Sequence, residues 1–208
     1  PLAYLTGKKG FWKSDFIISP DVLVPRPETE TLVEAVLNEN LQGKTLLELG
    51  TGSGVISISI AQESRDCIIF ATDISIKSIL VAKQNAEKFC CENIIFLNHD
   101  WNNEWLFPQV DYLISNPPYV DKEKTSGKEE GIWYEPEKAL FSNDKGLSDL
   151  RLILSKGKNY LNENGKVYLE HAPDQYEELN KFALENGYLN FSNLNDLNGD
   201  KRVSIYQC

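Results

Sequence analysis

The chain has 208 residues, enough for one to one-and-a-half domains of ordinary size. Its 41% hydrophobic and 11% aromatic residues can bury a core, which excludes wholesale disorder. With 31 acidic against 21 basic residues the net charge is −10, which argues against broad, sequence-independent nucleic-acid binding.

No apolar run approaches the ~18–20 residues of a membrane helix, so no membrane partner is expected. The start, Pro1 to Trp12, carries Lys8 and Lys9 but no apolar stretch, and does not read as a signal peptide. The sequence contains no Met, so the natural protein is expected to begin earlier. Cys67, Cys90, Cys91 and Cys208 show no zinc-ligand spacing. They read as reduced thiols of a cytoplasmic protein with no metal site.

Residues 10–24 alternate in polarity, with a turn at Ser19-Pro20, and predict a short hairpin. Pro25-Arg26-Pro27 ends it. Glu28 to Asn40 then reads as a helix with Leu32, Val33, Val36 and Leu37 on one face and Pro27 in its first turn. From Gly43 the rhythm becomes strand–helix–strand. Strands are expected at Thr45–Leu49, Cys67–Ala71, Ile94–Leu97 and Val110–Ser115, and helices at Val55–Gln62 and Ile76–Phe89. Residues 121–146 form a charged loop carrying Trp133, Tyr134 and Phe141. A helix (Leu147–Leu161), a strand (Lys166–Glu170), a helix (Asp174–Asn186) and two strands within 188–207 complete the chain. Short, continuously apolar strands alternating with helices mean an α/β fold with a mostly parallel seven-stranded sheet covered on both faces. Asn198-Gly199 favours a tight turn into an antiparallel last strand.

Four signals carry chemistry. Leu46-Leu47-Glu48-Leu49-Gly50-Thr51-Gly52-Ser53-Gly54 sits at a strand-to-helix junction, where glycines let a ligand approach the main chain and the helix offers free amides. It lacks the GK[ST] of a phosphate-binding P-loop. Asp73, at the end of the second strand, can accept from both ribose hydroxyls of an adenosine ligand, or cap the helix near Ser75. Asp100-Trp101, after the third strand, can hold an adenine edge and stack on its face, or simply pack as a half-buried aromatic. Asn116-Pro117-Pro118-Tyr119 follows the fourth strand. There the Asn116 oxygen and the Pro117 carbonyl can accept from one planar NH2 group, with Tyr119 over its face, orienting a weak nitrogen nucleophile towards an electrophilic methyl.

This succession resembles a class I methyltransferase dependent on S-adenosylmethionine, of the branch that methylates amino groups. Val24-Pro25-Arg26-Pro27-Glu28-Thr29-Glu30 resembles the HemK/PrmC family more narrowly. So do Pro1-Leu2, Tyr4 and Gly7, Tyr134-Glu135-Pro136 with Ala139-Leu140, Gly146-Leu147, and Asp196-Leu197 with Gly199 and Arg202. That family methylates the glutamine of the Gly-Gly-Gln loop in class 1 peptide-chain release factors. The resemblance covers essentially the whole chain. It implies a Rossmann-like domain over residues 28–208, preceded by a hairpin segment over 1–27. Family members carry an N-terminal helical domain, and by the resemblance none of these 208 residues corresponds to it.

By the same resemblance Gly50, Thr51, Gly52, Ser53, Gly54, Asp73, Asp100, Trp101 and Asn116 hold S-adenosylmethionine. Asn116, Pro117 and Tyr119 carry catalysis, and Asn116, Pro117, Pro118 and Tyr119 grip the target amide. The chain departs from its relatives at Glu170-His171-Ala172-Pro173, where they often have a glycine. His99 and His171 read as ordinary surface or core histidines, and the acidic run Lys122 to Glu130 as a solvated loop or a lid. Arg26 and Glu28 read as an ion pair or as part of the pocket. A monomer is expected. The alternatives are a glutamine methyltransferase of a ribosomal protein, an amino-methyltransferase of adenine or cytosine, and a non-catalytic binding module on the same fold.

Overall fold

In the computed structural model, which describes residues 1–123 and 134–208, a short helix α1 (Leu2–Thr6) leads into an antiparallel pair, β1 (Lys8–Phe11) and β2 (Ser14–Ile17). The pair reverses at Trp12-Lys13 rather than at Ser19-Pro20. Trp12 takes a positive φ of 54°, which is unusual for a bulky residue. Its backbone N–H donates to Glu30 Oε1 at 2.7 Å and its ring Nε1 to Glu63 Oε1 at 3.2 Å, so tertiary partners hold the turn. A second turn does form at Ser19–Val22, where the Val22 amide bonds the Ser19 carbonyl, but it leads into extended chain and not a strand.

A 3₁₀ turn (Pro27–Thr29) and helix α2 (Glu30–Leu37) replace the single helix expected over 28–40. The remaining elements are β3 (Thr45–Leu49), α3 (Val55–Glu63), β4 (Ile68–Asp73), α4 (Ile76–Lys88), β5 (Ile94–Asn98) and β6 (Val110–Ser115). After them come α5 (Glu137–Leu140), α6 (Ser148–Gly157), β7 (Leu161–Glu170), α7 (Tyr176–Glu185), β8 (Asn190–Asn195) and β9 (Lys201–Gln207). Most of the acidic run and Trp133 lie outside the described residues. None of the described helices is long and apolar enough to cross a membrane.

Seven strands pair in the order β5-β4-β3-β6-β7-β9-β8. The first five run parallel, and β9 runs antiparallel to both β7 and β8. Side chains alternate between two cores. Leu46, Ile69 and Ile114 face one core with the hairpin, α2 and α3, while Leu47, Leu49 and Leu113 face the other with α6 and α7. Burial on both faces explains why the strands read as continuous apolar runs. Helix α3 is buried from Val55 to Ala61, which is why it shows no polar face.

The chain order reverses beside β3, which has β4 on one side and β6 on the other. In open α/β sheets this point leaves a crevice outside the carboxyl ends of the strands. The glycine loop leaves β3 there and Asn116 leaves β6, so the topology sets the two strongest sequence signals side by side.

Candidate active site

The loop after β3 is fixed from beneath. Thr51 Oγ1 donates to Glu48 Oε2 at 2.8 Å, and the Ser57 hydroxyl donates to the same oxygen. The Ser53 carbonyl accepts from Asn85 Nδ2 at 2.9 Å. Asn85 also bonds the Ile17 amide and carbonyl, tying the hairpin to the glycine loop. Gly54 has φ +84°, and a Cβ there would stand 2.8 Å from Ile58 Cδ1 and 3.1 Å from Ala82 Cβ. This glycine therefore lets α3 start tight against α4. Gly52 has φ +55° with nothing within 4 Å of a would-be Cβ, so its backbone opens onto free space.

That space is a cavity of about 610 Å³, whose wall includes Gly50, Gly52, Asp73, Trp101, Asn116 and Pro118. Thr51 and Ser53 line a smaller cavity that shares Gly50, Gly52 and Asn116 with it. Asp73 Oδ2 accepts from the Gly52 amide at 2.9 Å and Oδ1 from the Ser75 amide at 2.8 Å. The helix cap is Ser75 itself, whose side chain accepts from the Ser78 amide. Each Asp73 oxygen keeps a lone pair for a further donor. Burial pushes the Asp73 carboxyl up, and the two backbone N–H groups oppose that shift.

Trp101 lies over the glycine loop, with its ring Cζ3 3.1 Å from where a Gly50 Cβ would be. Its Nε1 donates to Asp149 Oδ1 at 3.0 Å. Asp100 is not among the residues that line the cavity, and it closes its own turn, its Oδ1 accepting from the Asn102 amide at 2.9 Å. A floor of glycine backbone, a carboxylate with spare lone pairs and an indole face make a set that fits the adenosine and amino-acid parts of S-adenosylmethionine. Among the described residues no three His, Cys, Asp or Glu side chains gather as a metal site.

Asn116 stands on the cavity wall where β6 ends, anchored by Ser115 Oγ donating to the Leu49 carbonyl at 2.7 Å. Its Nδ2 donates to Thr29 Oγ1 at 3.2 Å. Pro117 and Pro118 are buried, and Pro118 lines the cavity. Tyr119 packs into the second core instead of lining the cavity, and its hydroxyl donates to Glu170 Oε1 at 2.9 Å. Burial and the facing Glu170 hold that phenol well above its ordinary pKa of 10.0. The Tyr119 carbonyl accepts from Gln175 Nε2 at 3.0 Å. Gly146 approaches so closely that a Cβ would sit 2.0 Å from that carbonyl oxygen.

Other charged groups serve the frame. Arg26 pairs with Glu135 at 2.5 Å rather than with Glu28, and Glu135 Oε2 also accepts from the Val24 amide at 3.0 Å. Glu135 is thus the group that joins the segment before α2 to the segment before α5. His171 is buried, with Nε2 2.7 Å from Ser204 Oγ and Nδ1 2.8 Å from the Ala172 carbonyl. Burial pushes it down to about 4, so it stays neutral. His99 is half-buried, edge-on to Phe107. Sequence reasoning missed Thr29, Glu48, Glu135 and Asp149 as parts of this site. Only the first three stand in or beside segments already singled out, and nothing local to Asp149 marks it.

Residues 27–140 match the family described as the methyltransferase small domain. Release factor glutamine methyltransferase from Salmonella typhimurium is 35% identical over 206 residues, covering 98% of this chain and 74% of that protein. The enzyme of the same name from Escherichia coli K12 is 34% identical over 206 residues, covering 99% of this chain and 74% of its own length. Among solved structures, a methyltransferase from Pyrococcus furiosus superposes with a TM-score of 0.67 at 22% identity, covering 93% of this chain and 88% of its own. A ribosomal protein L11 methylase from Lactobacillus delbrueckii gives 0.65 at 16% identity, covering 92% and 83%. Both share the Rossmann-like methyltransferase fold. Whole-length identity of this order, together with a glycine loop and an Asn-Pro-Pro-Tyr turn meeting at one crevice, places the chain in the release factor glutamine methyltransferase family, and it is an enzyme dependent on S-adenosylmethionine.

Proposed function

We propose that the chain methylates the side-chain amide nitrogen of the glutamine in the Gly-Gly-Gln loop of peptide-chain release factors. The observation that carries this reading is Asn116 on the cavity wall beside the glycine loop, with its Nδ2 already donated to Thr29. Its Oδ1 is then free to accept from an incoming NH2 group. The names of the relatives supply the substrate class.

When bound, S-adenosylmethionine would supply an electrophilic methyl group, the sulfur–methyl bond breaking with its electron pair left on the sulfur of the departing thioether. Gly50, Gly52, Asp73 and Trp101 would hold it by backbone, ribose and adenine contacts, with Thr51, Ser53 and Gly54 shaping the loop and Asp100 closing the turn before Trp101. Asn116 Oδ1 and the Pro117 carbonyl accept the two amide hydrogens of the substrate. Those bonds strengthen as positive charge develops on the nitrogen, so the pair favours the transition state over the ground state. Pro118 bounds the pocket and Tyr119 fixes the turn. Methyl transfer makes the nitrogen cationic and acidic, so its proton leaves without a strong base.

Residues 28–208 are read as the methyltransferase domain and 1–27 as a hairpin segment in front of it. The working form is read as a cytoplasmic monomer, with the net charge of −10 against a nucleic-acid partner. Mass spectrometry of a release factor incubated with the chain and S-adenosylmethionine tests the function. One added methyl on the Gly-Gly-Gln glutamine supports it. A methyl elsewhere, or none, overturns it.

A further inference from the structure

Asn116 and Tyr119, the first and last residues of the turn after β6, each bond a buried residue from a distant part of the chain. Asn116 Nδ2 donates to Thr29 Oγ1 at 3.2 Å, and the Tyr119 hydroxyl donates to Glu170 Oε1 at 2.9 Å. Thr29 also lies close enough to Glu170 to bear on its carboxyl, and the buried Glu170 Oε2 has no hydrogen-bond partner among the described residues, which leaves it open to the Thr29 hydroxyl proton. Thr29 and Glu170 are both buried. Thr29 comes from the 3₁₀ turn before α2, and Glu170 from the end of β7.

A hydroxyl has one proton to give. When Thr29 gives it to Glu170, Thr29 can only accept from Asn116, so the Asn116 amide must present its NH2 to Thr29. Its oxygen then faces the cavity. If Thr29 instead gave its proton to Asn116, the amide would turn over and offer N–H groups to a substrate that itself brings N–H groups. Donor would meet donor at the cavity, and the buried Glu170 Oε2 would be left without a donor. We propose that Thr29 and Glu170 are positioning residues that set the orientation of the Asn116 amide and so make it an acceptor for an NH2-bearing substrate. This inference rests on the reading of Asn116 as the group that accepts from the substrate amide.

The device has a polarity that depends on the Glu170 proton. Ionised, Glu170 accepts from both Thr29 and Tyr119, and the chain of bonds runs the productive way. Protonated on Oε2, it donates to Thr29, frees the Thr29 proton for Asn116 and reverses the run. The charged and titratable groups that face Glu170 are Tyr119, Arg202 and Glu28. Tyr119 and Arg202 titrate far above neutrality, so neither supplies a competing step near pH 7. Burial pushes the Glu170 carboxyl up to about 7, which brings the reversal into a measurable range.

The test measures kcat, KM and S-adenosylmethionine affinity for Thr29→Val, Thr29→Ser and Glu170→Gln. Thr29→Val is also made in an Asn116→Ala background. Thr29→Val should lose about 10- to 100-fold in kcat, with cofactor affinity changed less than about threefold, and Thr29→Ser should restore most of the loss. In the Asn116→Ala background, Thr29→Val should cost nothing further, because its effect passes through Asn116. Wild-type kcat should rise with pH through about 7, and Glu170→Gln should flatten that limb. An equal loss in both backgrounds, a Ser variant as poor as the Val variant, or an unchanged pH limb in Glu170→Gln would each overturn the inference. If Thr29→Val does not fold, Thr29→Ser and the Glu170→Gln profile decide it. A wild-type chain inactive on release factor fails the functional reading instead.

Discussion

Trp101 Nε1 and Asp149 Oδ1 meet at 3.0 Å across 48 residues of chain, and the other Asp149 oxygen takes the Ser142 hydroxyl at 2.5 Å. The carboxylate therefore fixes the plane of the indole that lies over the glycine loop. Asp149→Ala releases one charge-assisted bond to the ring, worth ~1.5–3 kcal/mol at most, part of which reappears as disorder in the free pocket. Calorimetry with S-adenosylmethionine should show affinity reduced about 3- to 10-fold, and Trp101→Ala should lose at least as much. Unchanged affinity in Asp149→Ala would mean that the ring needs no such anchor.

Asp73 does two jobs at once, since both of its oxygens hold backbone amides while facing the cavity. Asp73→Ala should weaken S-adenosylmethionine at least ~10-fold through the lost ribose acceptors and the loosened Gly52 amide. It should also lower Tm, unlike Trp101→Ala, because the turn from β4 into α4 loses a support. Thermal unfolding with and without cofactor separates the two losses. Affinity that stays the same would move the adenosine elsewhere.

Asn116→Ala removes a preorganised acceptor from the reacting nitrogen, a change that typically costs ~10²–10³ in turnover. The glycine loop and Asp73 are untouched by it, so cofactor affinity should fall only modestly. Asn116→Asp should also be less active than wild type. A carboxylate cannot donate to Thr29 and puts charge beside the Thr29–Glu170 pair. Single-turnover rates on release factor, read beside Tm, test both variants. Near-normal turnover in Asn116→Ala would sink the mechanism.

Glu48 is fully buried, and burial pushes its carboxyl from 4.5 up to about 7 despite the Ser57 and Thr51 hydroxyls. Its folded pKa is above its unfolded one, so its contribution to stability is full below about 4.5 and is lost as pH rises through about 7. His171 acts in the opposite sense. Burial holds it near 4, below its ordinary 6.5, so its contribution is full above 6.5 and is lost as pH falls through about 4. Glu48→Gln removes the first contribution and leaves the second. The Tm advantage of wild type over Glu48→Gln should therefore shrink between about pH 5 and pH 8. A constant difference across that range would show that Glu48 does not carry the shift.

The parallel sheet and the places where chemistry leaves it are legible along the chain. The apolar runs at Thr45–Leu49 and Val110–Ser115 are β3 and β6 at their expected bounds, because strands buried on both faces need unbroken hydrophobicity, which local sequence displays. The glycines after Leu49 and the prolines after Asn116 were legible for a similar reason, since they act on the backbone where they stand. The remaining features arise between segments that only folding brings together. The hairpin turns at Trp12-Lys13, which carries no Gly or Asn, because Glu30 and Glu63 hold it from 18 and 51 residues away. Helix α1 and the early start of β7 at Leu161 escaped notice, since neither has a periodic apolar pattern of its own. The meeting of Thr29 with Asn116 spans 87 residues, that of Tyr119 with Glu170 spans 51, and that of Arg26 with Glu135 spans 109. A polar side chain carries no local sign of the partner that will satisfy it. That partner is chosen by the strand order, which sets the carboxyl ends of β3, β6 and β7 beside one another and leaves their buried polar groups to pair there.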